Sequence, residues 1–218
     1  MREAGPTMAK PDASARILEA TREEIAENGV RGLRVQNVAK RAGVSLGLVY
    51  YHFEDRAGLL TATIDSVNQA VEERVLHPAT GDDDVDIIID QLVGEVGDAA
   101  GLRGDSVVWN EIRAIAVFEA ELRGPLAATT QEWEKRFGPL LRSLGLTEAA
   151  VAETATLLTA LVEGISGRWL SDQLDTAEAQ RLIRRGAASI LDAATARRTT
   201  RETTPPPTTT ATPETPQG

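Results

Sequence analysis

The sequence predicts an all-α fold, and three observations carry that reading. Apolar residues recur at helical spacing through most of the chain, as in Val85, Ile88, Ile89, Leu92, Val93 and Val96. The stripes are bounded by residues that cap or stop helices, such as Ser45, Asp55, Thr147 and the pair Asn28-Gly29. No run alternates apolar and polar residues for long enough to make a strand. At 218 residues, 42% of them apolar, the chain has enough material for one large domain or two small ones. It has no Cys, which excludes a disulfide scaffold, a thiolate metal site and a cysteine nucleophile.

Residues 1–11 hold Gly5, Pro6 and Pro11 and little to bury, so they read as a flexible arm. Asp12 caps a first helix striped by Ile17, Leu18, Ala20 and Ile25, which ends at Asn28-Gly29. Val35, Val38, Ala39 and Ala42 share one face of a short second helix. Gly43 suits the sharp turn after it, and Ser45 caps a third helix running through Phe53. Asp55 caps a fourth helix from Arg56, lined by Leu60, Ile64, Val67 and Val71 and ending near His77-Pro78.

Gly81 to Asp84 reads as a linker and helix start. Gly101 and Gly104 punctuate before Val108, Ile112, Ile115 and Ala116 begin another helix, which Gly124-Pro125 interrupts. Trp133, Phe137, Leu140, Leu141 and Leu144 continue it. Thr147 caps the next, striped by Val151, Ala155, Leu158, Val162, Ile165 and Trp169. Asp175 to Glu178 opens the last in the manner of a capping box. These two helices span roughly 148–171 and 176–195. The tail, 199–218, has nine Thr, five Pro and one apolar side chain, Ala211, and reads as disordered. No stretch approaches the ~20 apolar residues of a membrane span. The first sixteen residues lack the apolar run of a signal peptide, so a cytoplasmic protein with no membrane partner is expected.

The net charge of −10 hides an asymmetry: residues 1–60 net +1 and the remainder −11. A protein that coats nucleic acid uniformly is excluded, and only the first segment can approach a polyanion without strong repulsion. Residues 31–56 hold Arg31, Arg34, Lys40, Arg41 and Arg56 against Glu54 and Asp55, so this stretch can present a positive face.

The stretch from Leu33 to Leu60 is a short apolar-faced helix, a glycine turn and a short capped helix, which is a helix-turn-helix. Such a unit can present its second helix to the major groove, whose width fits it. Val38, Ala39, Val44, Val49 and Phe53 are assigned to the inner side. Ala39 and Gly47 are small where helices would approach closely. Ser45, Leu46, Leu48, Tyr51 and His52 then face outward.

Val38-Ala39, Ala42-Gly43-Val44-Ser45, Gly47, Tyr50-Tyr51-His52-Phe53, Arg56 and Leu59-Leu60, in this order and spacing, resemble the N-terminal domain of TetR-family transcriptional regulators. The resemblance covers residues 12–60; the remainder fits in length and helical character. It implies three N-terminal helices that bind DNA, with the second and third at 35–42 and 46–53. The remaining helices would dimerise and enclose an effector pocket, and effector binding would move the fourth helix and weaken operator binding. Tyr50 and His52 match positions that support or contact the DNA backbone. Arg56, where Lys is usual, would meet a phosphate at a helix N-terminus. Arg34 stands where the family prefers a Thr or Ser cap and serves a phosphate in that reading. Leu46 and Leu48 stand where polar residues are usual; they either meet thymine methyls or pack internally. Direct readout then falls mostly to Tyr51 and Ser45, within a contact set completed by Gly47.

Catalysis finds little support. His52 lies inside the motif, His77 precedes Pro78 at a helix end, and Gly164 to Gly167 lacks the strand of a nucleophile elbow. Asp82, Asp83, Asp84 and Asp86 lack calcium-loop spacing and read as capping and solvation. No enzyme activity, metal or cofactor is expected. The aromatics Trp109, Phe118, Trp133, Phe137 and Trp169, with Arg113 beside Trp109, are candidates for an effector pocket or else ordinary core. The last two helices are the family's dimer-forming pair. The expectation is a flexible arm at 1–11, a DNA-binding domain at 12–55, an effector-binding and dimerisation domain at 56–198, and the tail. The function expected is a ligand-responsive repressor that binds a near-palindromic operator as a homodimer. The alternative is a helical ligand-binding or protein-interaction module that has lost DNA binding.

Overall fold

The structure is a computed structural model that describes residues 12–75, 83–99 and 101–203. The arm at 1–11, His77, Asp82 and the tail beyond 203 lie outside the described residues. The described residues form ten α-helices and no strand.

Helix α1, Ala13–Gly32, starts at the Asp12 carboxylate, which accepts the Ala13 N–H at 2.7 Å. It kinks at Gly29, whose φ of 68° only glycine adopts freely, and then continues to Gly32. Helix α2, Val35–Ala42, closes on Gly43 in the left-handed conformation, φ 66° and ψ 41°. Helix α3, Leu46–Phe53, starts at Ser45, whose Oγ accepts the Leu48 N–H at 3.2 Å. Helix α4, Arg56–Val75, is capped by Asp55, which accepts the Gly58 N–H at 2.8 Å. Helix α5 is Asp84–Val93, capped by Asp83.

Helix α6 is Leu102–Ala116, and Gly104 lies inside it rather than interrupting it. The break expected at Gly124-Pro125 falls earlier, at Val117 to Glu119, before a 3-10 turn at Ala120–Leu122. Helix α7, Arg123–Lys135, carries Gly124 and Pro125 in its first turn, where a proline's missing N–H has no partner to lose. The Arg123 guanidinium donates to the Ala116 and Val117 carbonyls at 3.0 and 2.8 Å and so closes the end of α6. The single helix expected through Leu144 is broken at Phe137, because Pro139 must open a new helix, α8, Gly138–Ser143. Helix α9 is Glu148–Leu170, and α10, Thr176–Thr203, runs five residues into the stretch expected to be tail.

Two apolar cores result. The first joins α1 to α4 with α6, through Ile17, Ile25, Val38, Val49, Leu60, Ile64 and Ile112. The second joins α5, α7, α8, α9 and α10, through Ile88, Leu92, Trp133, Leu141, Leu158 and Ile183. Among the described residues, α9 has the length and mean hydropathy, 1.3, of a membrane span, which the sequence reading did not expect. Its buried Val151, Leu158, Val162 and Trp169 pack inside the second core, as in the central helix of a bundle.

Candidate nucleic-acid interface and the cavity behind it

The inner assignments of the helix-turn-helix hold. Val38, Ala39, Val49 and Phe53 are buried, and Val44 packs against them. Outward, Tyr51 is 81% exposed and Tyr50 44%, with Ser45, Gly47 and His52 also exposed. Two large rings, Tyr50 and Tyr51, are thus left in water on an eight-residue helix. Tyr51 and His52 meet edge to face with centroids 5.5 Å apart. Leu46 leans on the first core, which favours internal packing for it, while Leu48 is half-buried. Gly47 is not small for the sake of a neighbouring helix: a Cβ built there meets nothing within 4 Å.

The positive face is narrower than the count of basic residues implies. Arg41 spans to Glu23 and Glu27 of α1 at 3.2 and 2.9 Å, and its own value rises while that of Glu27 is lowered by the hydrogen bond between them. The buried Glu24 accepts from Asn37 at 2.8 Å. These contacts fix α2 on α1 but take Arg41 away from any phosphate.

Arg56 also turns inward. It donates to the Val30 carbonyl at 2.8 Å and pairs with Glu119 at 3.2 Å, because the start of α4 abuts both the kink of α1 and the turn after α6. Arg31 lies over the Phe118 ring at 5.8 Å. Arg34 and Lys40 are exposed and form no ion pair among the described residues. Arg34 makes no side-chain cap, as the sequence implies. Of the five basic residues expected to form that face, Lys40 and Arg34 are the ones left exposed with neither an ion pair nor a ring contact among the described residues.

Behind this unit, α6, α7 and α9, with Glu95 after α5, line a partly open cavity of about 60 Å³. Trp109, Arg113 and Trp133 line it, three of the six expected residues. The other three do not. Phe118 is 72% exposed in the break after α6. Phe137 is buried in the core with its ring 4.9 Å from that of Trp133. Trp169 is buried beneath Arg103 and donates its indole N–H to Thr176 at 3.2 Å. Sequence reading missed the polar walls, among them Glu95, Ser106, Asn110 and Glu163. Polar residues recurring inside apolar helices were the available signal. Arg113 and Glu163, both on the cavity wall, form a direct ion pair at 2.7 Å.

Helix α6 serves two neighbours at once. Ser106, Trp109, Asn110 and Arg113 line the cavity. Asp105, buried, pairs with Arg22 of α1, and Glu111 accepts the Val30 N–H at 2.9 Å. Among the described residues none of α4 lines the cavity. A separate groove of about 540 Å³ runs between α9 and α10, where Leu157 is 45% exposed beside Ala150, Ile190 and Ala194.

A capped, ring-bearing α3 on an all-helical frame defines a helix-turn-helix protein. The profile of bacterial regulatory proteins of the tetR family matches residues 17–63, and that of the BetI-type transcriptional repressor C-terminal domain matches residues 88–192. The crystal structure of a TetR-family transcriptional regulator from Rhodococcus sp. is 38% identical, with a TM-score of 0.76 over 82% of this chain and 98% of that one. The chain belongs to the TetR family of bacterial transcriptional regulators and is not an enzyme.

The HTH-type transcriptional regulator BetI of Escherichia coli O139:H28 (strain E24377A / ETEC) is 36% identical over 61 residues, 28% of this chain and 31% of that protein. The chain thus matches about a third of the length of that curated relative. A transcriptional regulator from Saccharomonospora viridis, solved in complex with choline, shares the fold at 20% identity and a TM-score of 0.65, covering 83% of this chain and 95% of that one.

Proposed function

We propose that this protein is a repressor that binds a near-palindromic operator as a homodimer and is released by a small-molecule effector. The observation that carries this reading is the outward face of α3, where Tyr51, His52 and Ser45 are exposed to solvent. A dimer would place two such helices in successive major grooves. The groove beside Leu157 supports α9 and α10 as the dimer faces, since an apolar strip of that size is otherwise left in water. The BetI-type match over 88–192 supports repression.

The two-sided α6 supports a route for the effector signal. A ligand that shifts Trp109 or Arg113 moves the same helix that holds α1 through Asp105 and Glu111. On this reading the DNA-binding unit is displaced through α6, and α4 follows. The reading as an interaction module without DNA binding loses part of its basis, because Leu46 packs on the core.

A mobility-shift assay against the DNA upstream of its own gene tests the proposal. Binding is expected, and it should fall steeply as salt rises. No shift on any fragment, or affinity flat in salt, would overturn it.

A further inference from the structure

We propose that the cavity takes a small zwitterion, its carboxylate on Arg113 and its ammonium on Glu163. The inference rests on the effector-controlled reading above and names the chemistry of the effector.

The cavity wall carries a joined pair of opposite charges on facing helices, Arg113 of α6 and Glu163 of α9, at 2.7 Å. A ligand with one charge can engage only one partner and strands the other in a half-buried site. A ligand with an anion and a cation one or two carbons apart slides between the two and leaves neither alone.

The rest of the wall disfavours single charges. Each Trp ring already has a guanidinium over it: Arg113 lies 5.8 Å from the centroid of Trp109, and Arg136 lies 5.1 Å from that of Trp133. The rings are therefore not an open cage for a lone ammonium. A lone carboxylate on Arg113 would displace and face Glu163, while the other wall carboxylate, Glu95, lies 4.0 Å from Arg136. Burial pulls the Arg113 guanidinium pKa below its ordinary value, and the Glu163 carboxylate opposes that shift. At about 60 Å³ the cavity takes a compact ligand, and Ser106, Asn110 and Thr130 supply polar groups to orient it.

The test uses the full-length chain and calorimetric titration with the twenty standard amino acids, each beside its N-acetyl form and its carboxamide. At least one free amino acid should bind saturably. Acetylation, which removes the cation, and amidation, which removes the anion, should each weaken it by about tenfold or more. Arg113→Gln and Glu163→Gln should do the same with unchanged circular dichroism. The exchange variant carrying both Arg113→Glu and Glu163→Arg should recover binding.

Binding of choline or acetate as tight as that of any free amino acid would overturn the proposal, as would no binding across the panel. The same samples are assayed for DNA binding. Protein that shifts DNA but ignores the panel refutes the zwitterion and leaves the regulator standing; protein that binds the panel but no DNA refutes the regulator.

Discussion

The Glu111 carboxylate accepts the Val30 N–H at 2.9 Å and fills the space beside Gly29, where a Cβ would lie 2.8 Å from its Oε2. A side chain of α6 thereby closes the kink of α1. Glu111→Ala leaves that N–H without its acceptor and should cost about 1–3 kcal/mol in chemical denaturation. Operator affinity should change little, while the ligand concentration needed to release DNA should rise, because one of the two polar ties from α6 to α1 is lost and only the Asp105–Arg22 pair remains. Glu111→Gln keeps an acceptor and should restore both readouts.

Gly47 gives a prediction in which two readouts move in opposite directions. Its Cβ site is open, so Gly47→Ala should stabilise the fold by about 0.5–1 kcal/mol through helix propensity. The added methyl stands on the exposed face of α3, so operator affinity should fall. Thermal melts and mobility shifts on one sample check both. A variant that gains stability and keeps full affinity would show that the α3 backbone does not approach DNA closely.

Tyr51→Ala and Arg56→Ala should separate contact from support. Tyr51 is 81% exposed, so its loss should leave stability within about 0.5 kcal/mol while weakening DNA binding and altering sequence preference. Arg56 holds the Val30 carbonyl and Glu119, so its loss should lower stability by about 1 kcal/mol, discounted for its partial exposure. Its effect on DNA should be uniform across sequences.

The clamp between α1 and α2 should respond to acid. Hydrogen bonding to Arg41 lowers Glu27 below its ordinary value of 4.5. The folded state therefore gains from the ionised form above the unfolded value, and the gain is lost as pH falls through the folded one. Wild type and Glu27→Gln should differ in unfolding midpoint at neutral pH and converge in acid.

Leu157→Glu places a charge in the groove between α9 and α10. Sedimentation should show a shift from dimer to monomer at a given concentration, with operator affinity falling in step.

Much of the helix-turn-helix was legible because its signals are local. Ser45 and Asp55 cap within three residues, and the Gly43 turn follows directly from the α2 stripe. The destinations of Arg41 and Arg56 were not legible, because their partners lie 14 to 63 residues away and charge counting treats every cation as free. The cavity was half legible. Trp109 and Trp133 look like Phe118 and Trp169 in sequence, and only the crossing of α6, α7 and α9 separates lining from core. The broken helix at Phe137 was readable from Pro139, and the break after Ala116 was not, since Arg123 replaces a local stop signal.

The most direct test of the central claim, that α3 reads the major groove, is a footprint on operator DNA. Wild type should protect two patches on one side of the duplex, about 10 base pairs apart or a multiple of that. Tyr51→Ala at equal concentration should lose both. A footprint that survives unchanged in Tyr51→Ala, or patches on opposite sides of the duplex, would contradict it.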